Sequence, residues 1–253
     1  MEKNKVKNQD RLNKQILELE KKGKELLRNG QSNHGLSRTL RWLLKESALQ
    51  KNHLKGLKQW QKIKDKVNTR KIQIGGGTHL LEGFLNVDIV SPADLIWDVR
   101  EGMPFKDECC EFIFSEHFLE HIDYPYSVKR FVSDCYRILK PSGKVVIGVP
   151  DGGLAARKYM VKDKKFFKQA LRRWYSKRDC LSHFNTDIDL LNYVFRDQDD
   201  HKKYSSHLWA YDFEKLESLF RKNNFGKFEY WKFDSSIANP KRKWSSIYVV
   251  ATK

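Results

Sequence analysis

Leu12, Ile16, Leu19 and Leu26 recur at helical spacing among lysines, and Asn29-Gly30 supplies a stop. After Asn33-His34-Gly35 a second apolar stripe runs through Leu36, Leu40, Leu43, Leu44, Leu54 and Leu57 toward Trp60. A helical hairpin is predicted, with lysines on the faces away from the stripes. At Thr69-Arg70 the period shortens: Lys71-Ile72-Gln73-Ile74 reads as a strand that runs into Gly75-Gly76-Gly77-Thr78. Further strands are predicted at 85–89, 94–97 and 111–114. A helix signalled by Tyr124-Pro125-Tyr126 sets Val128, Phe131, Val132, Cys135, Ile138 and Leu139 at core spacing. Lys140, Pro141 and Gly143 close that helix before a fifth strand at 144–149. Beyond His207, a helix through Leu216, Leu219 and Phe220 and the turn Asn224-Phe225-Gly226 precede two last strands, expected at 227–233 and 246–251. Strands that end in carboxylates, interleaved with helices, are the rhythm of an open α/β sheet.

Composition agrees with a packed fold. Of 253 residues 40% are hydrophobic and 13% aromatic, too many for wholesale disorder. No apolar run approaches the ~20 residues that a bilayer span needs. The charged first twenty residues predict no secretory signal, and four cysteines without C-x-x-C spacing point to a reducing, cytoplasmic setting. The net charge of +17 is concentrated in two segments. Residues 1–70 carry 19 Lys/Arg against 7 Asp/Glu, and 157–178 carry 10 against one, Asp163. Such segments favour an anionic partner (phosphate, nucleic acid or lipid headgroup), or they are solvated faces of helices that dock on the main domain or dimerise.

The glycine loop after the first strand lets backbone N–H groups approach a ligand closely. It lacks the G-K-[ST] of a phosphate-binding P-loop, and Leu80 stands where a dinucleotide site wants its third glycine. Asp88 closes the second strand, suited to accept two hydrogen bonds from a ribose diol. Only ten residues separate it from Gly77, against about 20 in the dinucleotide pattern, so any helix between these strands is abbreviated. Asp98-Val99, followed by Met103-Pro104-Phe105, offers an acceptor and apolar walls for an adenine.

These motifs, with Glu111-Phe-Ile-Phe-Ser-Glu-His-Phe-Leu-Glu120-His121 and Leu139-Lys-Pro-Ser-Gly143-Lys, follow in the order and spacing of the class I S-adenosylmethionine-dependent methyltransferases, which the chain resembles over 70–150 and again over 207–253. Within that class it is similar to a bacterial branch with a shortened first helix, members of which often modify glycans or other secondary products. The resemblance implies an α/β fold: a Rossmann-like, seven-stranded, mostly parallel sheet with a helical lid insertion (152–206) in a methyltransferase domain (70–253), preceded by a basic N-terminal helical arm (1–69). It implies S-adenosyl-L-methionine as cofactor, with Gly75, Gly76 and Gly77 cradling the methionine portion, Asp88 holding the ribose and Asp98 and Val99 framing the adenine. Ser115 and Glu116 would lie beside the sulfonium and the amino group. Asn224 departs from the class, standing where the glycine of the last turn is usual.

Methyl transfer from an activated sulfur needs alignment and removal of a proton, and no metal. His117-Phe-Leu-Glu120-His121 does read literally as H-x-x-E-H, a zinc signature, but no distal acid is marked as third ligand, so no metal is expected and packing or capping is the expected role of these residues. His117 and His207 are the base candidates, ahead of His121, with His34 and His53 in the arm and His183 and His201 in the lid. The lid interleaves its basic residues with Tyr159, Phe166, Phe167, Trp174 and Tyr175. The acceptor expected is an oxygen or nitrogen of an anionic small molecule or glycan. RNA methylation along a basic track, a non-catalytic basic binding module and a homo-oligomer formed through the N-terminal helices are the alternatives left open.

Overall fold

A computed structural model describes residues 2–30, 34–67, 70–175, 186–196 and 206–253. His183 and His201 lie outside the described residues, as do the side chains of Trp174 and Tyr175. Seven strands, β1 (Lys71–Ile74), β2 (Leu85–Asp88), β3 (Leu95–Ile96), β4 (Cys110–Glu116), β5 (Leu139–Pro150), β6 (Lys227–Tyr230) and β7 (Ser246–Thr252), form one sheet in the order β3-β2-β1-β4-β5-β7-β6. Five run parallel in register, and β7 is antiparallel to both of its neighbours. Ile74 pairs with Val87 on one side and Ser115 on the other, and Ser115 with Ile147. The chain therefore leaves the sheet at Asp88, Gly75 and Glu116 along a single edge, where ligands of open α/β sheets bind.

One face of the sheet is covered by α3 (Tyr126–Ile138) and α7 (Phe213–Arg221), with Val128, Phe131, Val132, Cys135, Leu216 and Phe220 wholly buried against Ile72, Ile113 and Val145. Each such large apolar side chain contributes about 1.5–3 kcal/mol by leaving water. The other face packs Phe114, Val146 and Tyr248 against Leu81, Trp231 and Ala238. Asp212 caps α7 by accepting from Lys215 N at 2.8 Å. Asn224 takes φ +68°, so the residue that replaces glycine is one that tolerates the left-handed turn. Between β1 and β2 the expected short helix is absent: residues 75–84 form turns, pinned by Gln73 and Asn86.

The N-terminal hairpin, α1 (Glu2–Arg28) and α2 (His34–Ile63), meets the sheet through α2. Leu57, Trp60 and Ile63 join the main core, and Gln59 and Asn52 bond backbone groups of Asp94, Ile96 and Ile89 beside β3. Gly56 permits this approach, because a Cβ there would fall 1.6 Å from the carbonyl oxygen of Ile96. After β5 the lid insertion forms α4 (Gly152–Met160), α5 (Lys164–Tyr175) and α6 (Asp187–Arg196), joined by a small cluster of Phe166, Phe167, Ala170 and Leu190. None of the helices among the described residues is long and apolar enough to cross a membrane.

Candidate active site

At the β1 end of the sheet edge, Gly75 and Gly77 have φ of +70° and +58°, a region favourable only to glycine. A Cβ on Gly75 would fall 2.4 Å from the Phe118 ring and one on Gly76 2.5 Å from the Gln73 amide, while the space over Gly77 is open. Gln73 holds the loop from behind, donating to His79 O at 2.8 Å and accepting from Leu81 N at 3.2 Å. Asp88 accepts from Gly77 N at 2.9 Å and from Val90 N at 3.0 Å, one bond per oxygen. A carboxylate has about four acceptor positions, so capacity for a diol remains. Burial raises its pKa, and the backbone donors of Val90 and Gly77 oppose that rise.

Asp98 and Val99 are buried beside β3, and the Asp98 carboxylate is engaged. It caps the 3-10 turn Val99–Glu101 and pairs with Arg100 at 2.7 Å, which in turn meets Glu46 of α2 at 2.9 Å. The Asp98 amide donates to His53 Nδ1 at 3.2 Å. Burial lowers the His53 pKa, in keeping with a neutral ring that accepts. Through His53 and Glu46, α2 therefore fixes the surroundings of Asp98, a dependence that the residues around Asp98 do not announce.

At the tip of β4, Ser115 Oγ is buried without a hydrogen-bond partner among the described residues. The Glu116 carboxylate is occupied: Tyr248 donates at 2.6 Å, Asn239 N at 3.1 Å, and Arg242 stands at 3.3 Å. A role for Glu116 beside a cationic ligand therefore competes with that network. His117 takes φ +53°, uncommon for a side chain with a Cβ, and is fixed by its N–H to Gly148 O at 2.7 Å. Its Nε2 lies 2.8 Å from Ser246 Oγ, and its Nδ1 lies 3.4 Å from Glu120 Oε1. Burial, with the charge of Arg242, pushes the His117 pKa well below the ordinary histidine range. Glu120 is 1% exposed, and burial pushes its carboxyl up to about 8. His207, returning from the lid, is buried beside His121 with ring centroids 5.0 Å apart.

Ser246 also lines a groove of about 720 Å³ between α5 and the segment 240–246. Phe166 and Trp244 stack along it at 5.0 Å, and Arg173 lies over the Trp244 ring. Lys165, Arg173 and Lys243 line it together with Lys158, whose charge is met by Asp163 at 2.8 Å. Sequence reasoning missed Gln73, Arg100, Arg242 and Ser246. Only the aromatic–basic texture of 157–178 signalled the groove.

Residues 91–147 match the methyltransferase domain family. No curated protein matches the chain. Among solved structures, it is similar to an S-adenosylmethionine-dependent methyltransferase from Thermotoga maritima (18% identity, 78% of this chain and 89% of that one covered, TM-score 0.42). Another is a methyltransferase of the same kind from Methanosarcina mazei (14%, 74% and 93%, 0.45). A third is 1,6-didemethyltoxoflavin-N1-methyltransferase from Burkholderia thailandensis, solved with its substrate and S-adenosylhomocysteine (11%, 81% and 78%, 0.41). The matched segment and the order of the sheet support an S-adenosylmethionine-dependent methyltransferase built on an α/β sheet.

Proposed function

We propose that this enzyme methylates an oxygen or nitrogen of an anionic small molecule or glycan held in the groove beside α5. The observation that carries this reading is the groove itself: cationic side chains of Lys165, Arg173 and Lys243 around a Phe166–Trp244 stack, ending at Ser246 against His117. Aromatic faces suit a sugar or a planar ring, and the cations suit phosphate or carboxylate.

The cofactor, when bound, supplies a methyl group already activated by a positive sulfur. The glycine backbone of 75–77 and the spare acceptor positions of Asp88 fit its tail and ribose, and the orphaned Ser115 Oγ fits a polar group at the tip of β4. His117 is the proposed base. Its lowered pKa keeps the ring neutral near pH 7, the form that accepts a proton, and Ser246 connects it to the groove. His207 reaches Val194 O with Nδ1 at 3.3 Å and stands further back, next to His121.

Methyl-labelled cofactor offered with paired acceptors, phosphorylated or uronate glycans and their neutral counterparts, tests the reading. Transfer to the anionic member of a pair, lost in the Lys165→Ala/Arg173→Ala double variant, is the expected result. Equal transfer to neutral acceptors, or transfer to RNA in their place, would overturn it.

A further inference from the structure

Behind His117 lies a group of side chains that methyl transfer as described above does not use. Glu120, His121 and His207 each offer one ligand atom, and these atoms all lie within 4.8 Å of one another. The turn Leu119–His121 places the first two directly after β4. The Leu208 amide donates to Glu120 O at 2.7 Å, which bolts the returning lid segment alongside and brings in His207 from far along the chain. The H-x-x-E-H reading would pair His117 with His121 as ligands, whereas the tertiary fold groups Glu120 and His121 with His207.

We propose that Glu120, His121 and His207 bind a divalent transition-metal ion of the Mn–Zn series behind His117, whose other ring nitrogen meets Ser246 of the groove. Both Glu120 oxygens are buried with no hydrogen-bond partner among the described residues, although a buried carboxylate ordinarily has donors. Imidazole nitrogens stand near it, His117 Nδ1 at 3.4 Å and His121 Nε2 at 3.9 Å. The Nδ1 atoms of His121 and His207 face backbone carbonyls, Ser206 O at 3.4 Å and Val194 O at 3.3 Å. A carbonyl only accepts, so these contacts select the Nδ1–H tautomer and put the lone pair on Nε2. That is how metal-bound histidines are commonly oriented.

The donor set narrows the ion. Two imidazoles and one carboxylate suit first-row divalent metals and disfavour Mg²⁺ and Ca²⁺, which prefer oxygen. Ligand distances of about 2.0–2.2 Å imply ligand atoms roughly 3–4.4 Å apart, so small side-chain rotations close the site. Three protein ligands leave coordination positions open. In the methyl-transfer reading, on which the ion's role but not its presence rests, an open position takes an oxygen of the acceptor and favours a hydroxyl over an amine.

The untagged full-length protein, stripped with a chelator, is titrated with ZnCl₂ by calorimetry and with Co²⁺ by visible absorption. One ion per chain and Co²⁺ bands of a four- or five-coordinate site are expected. His121→Ala and His207→Ala should each weaken binding at least about 10-fold. S-adenosylmethionine affinity, measured in the same preparations, should be unchanged and reports folding and the cofactor reading separately. Stripped wild type that takes up neither ion, or uptake unaltered in both variants, overturns the proposal even if cofactor binding is intact.

Discussion

Along one edge of this sheet, the two neighbouring sites of the proposed function are assembled from contacts of very different range. In the cofactor cradle, Gln73 meets His79 and Leu81, six and eight residues on, Asn86 meets Leu81 five residues away, and Asp88 meets Gly77 across eleven. At the acceptor end, His117 meets Ser246 across 129 residues and Glu116 meets Tyr248 across 132. Asp98 lies between these extremes, with His53 of α2 45 residues before it. Short loops cost little closure entropy, so the cradle is a nearly self-contained unit, whereas the acceptor end exists only once the whole sheet has closed. Changes at the acceptor end should therefore alter chemistry while sparing cofactor affinity, and changes in the cradle should do the reverse.

The sharpest test of that separation is His117→Ala. Turnover should fall by roughly 10²–10⁴, equivalent to about 3–5 kcal/mol in the barrier, with S-adenosylmethionine affinity by calorimetry nearly unchanged. A parallel loss of affinity would merge the two ends into one site.

Gly56→Ala attacks the long-range contact of α2. Its Cβ would fall 1.6 Å from the Ile96 carbonyl oxygen, a backbone atom and not the end of a flexible side chain. A stability loss of about 1–3 kcal/mol or more is expected in thermal denaturation, as for other overpacked sites. An unchanged melting temperature would mean that α2 is an appendage on the sheet and not part of it.

In the cradle, Asp88→Ala should lower cofactor affinity by about 1.5–3 kcal/mol, the range for hydrogen bonds to a charged group. Acidification should act the same way in wild type. Burial raises the Asp88 pKa, so the charged acceptor is lost at a higher pH than for an ordinary aspartate, and affinity declines as pH falls through that raised value. Calorimetry at several pH values checks the direction.

Glu46→Gln should have the smallest effect. It removes the α2 end of the Glu46–Arg100–Asp98 chain, in which Glu46 is 45% exposed, and such pairs are worth at most about 1 kcal/mol. A small drop in cofactor affinity, relieved further by salt, would show α2 acting on the adenine end of the cradle through Arg100.

The same difference in range governs what could be read from the chain. The glycine loop, the Asp88 strand end, the α3 core stripe and its stop were legible because backbone preference and hydrophobic period act over a few residues. The helix stop falls at Ile138, with β5 beginning at once, and the helix expected through Leu216, Leu219 and Phe220 starts at an Asp212 cap. That no helix at all forms between β1 and β2 was not legible, since the Gln73 and Asn86 amides that pin the turns there look like ordinary strand residues. Nor was the engagement of Glu116 by Tyr248, Asn239 and Arg242, which depends on the register of β7.

By itself, the order of apolar periods and turn residues determined the α/β class, the place of the glycine loop after β1 and the acid that ends β2, since each is written in contiguous residues. Tertiary structure alone decided that α2 belongs to the sheet edge. It also decided that Ser246 backs His117 and that His207 joins Glu120 and His121. The physical reason is that these neighbours are set by sheet register and lid return, and sequence spacing carries no information about which distant side chains will share a buried volume.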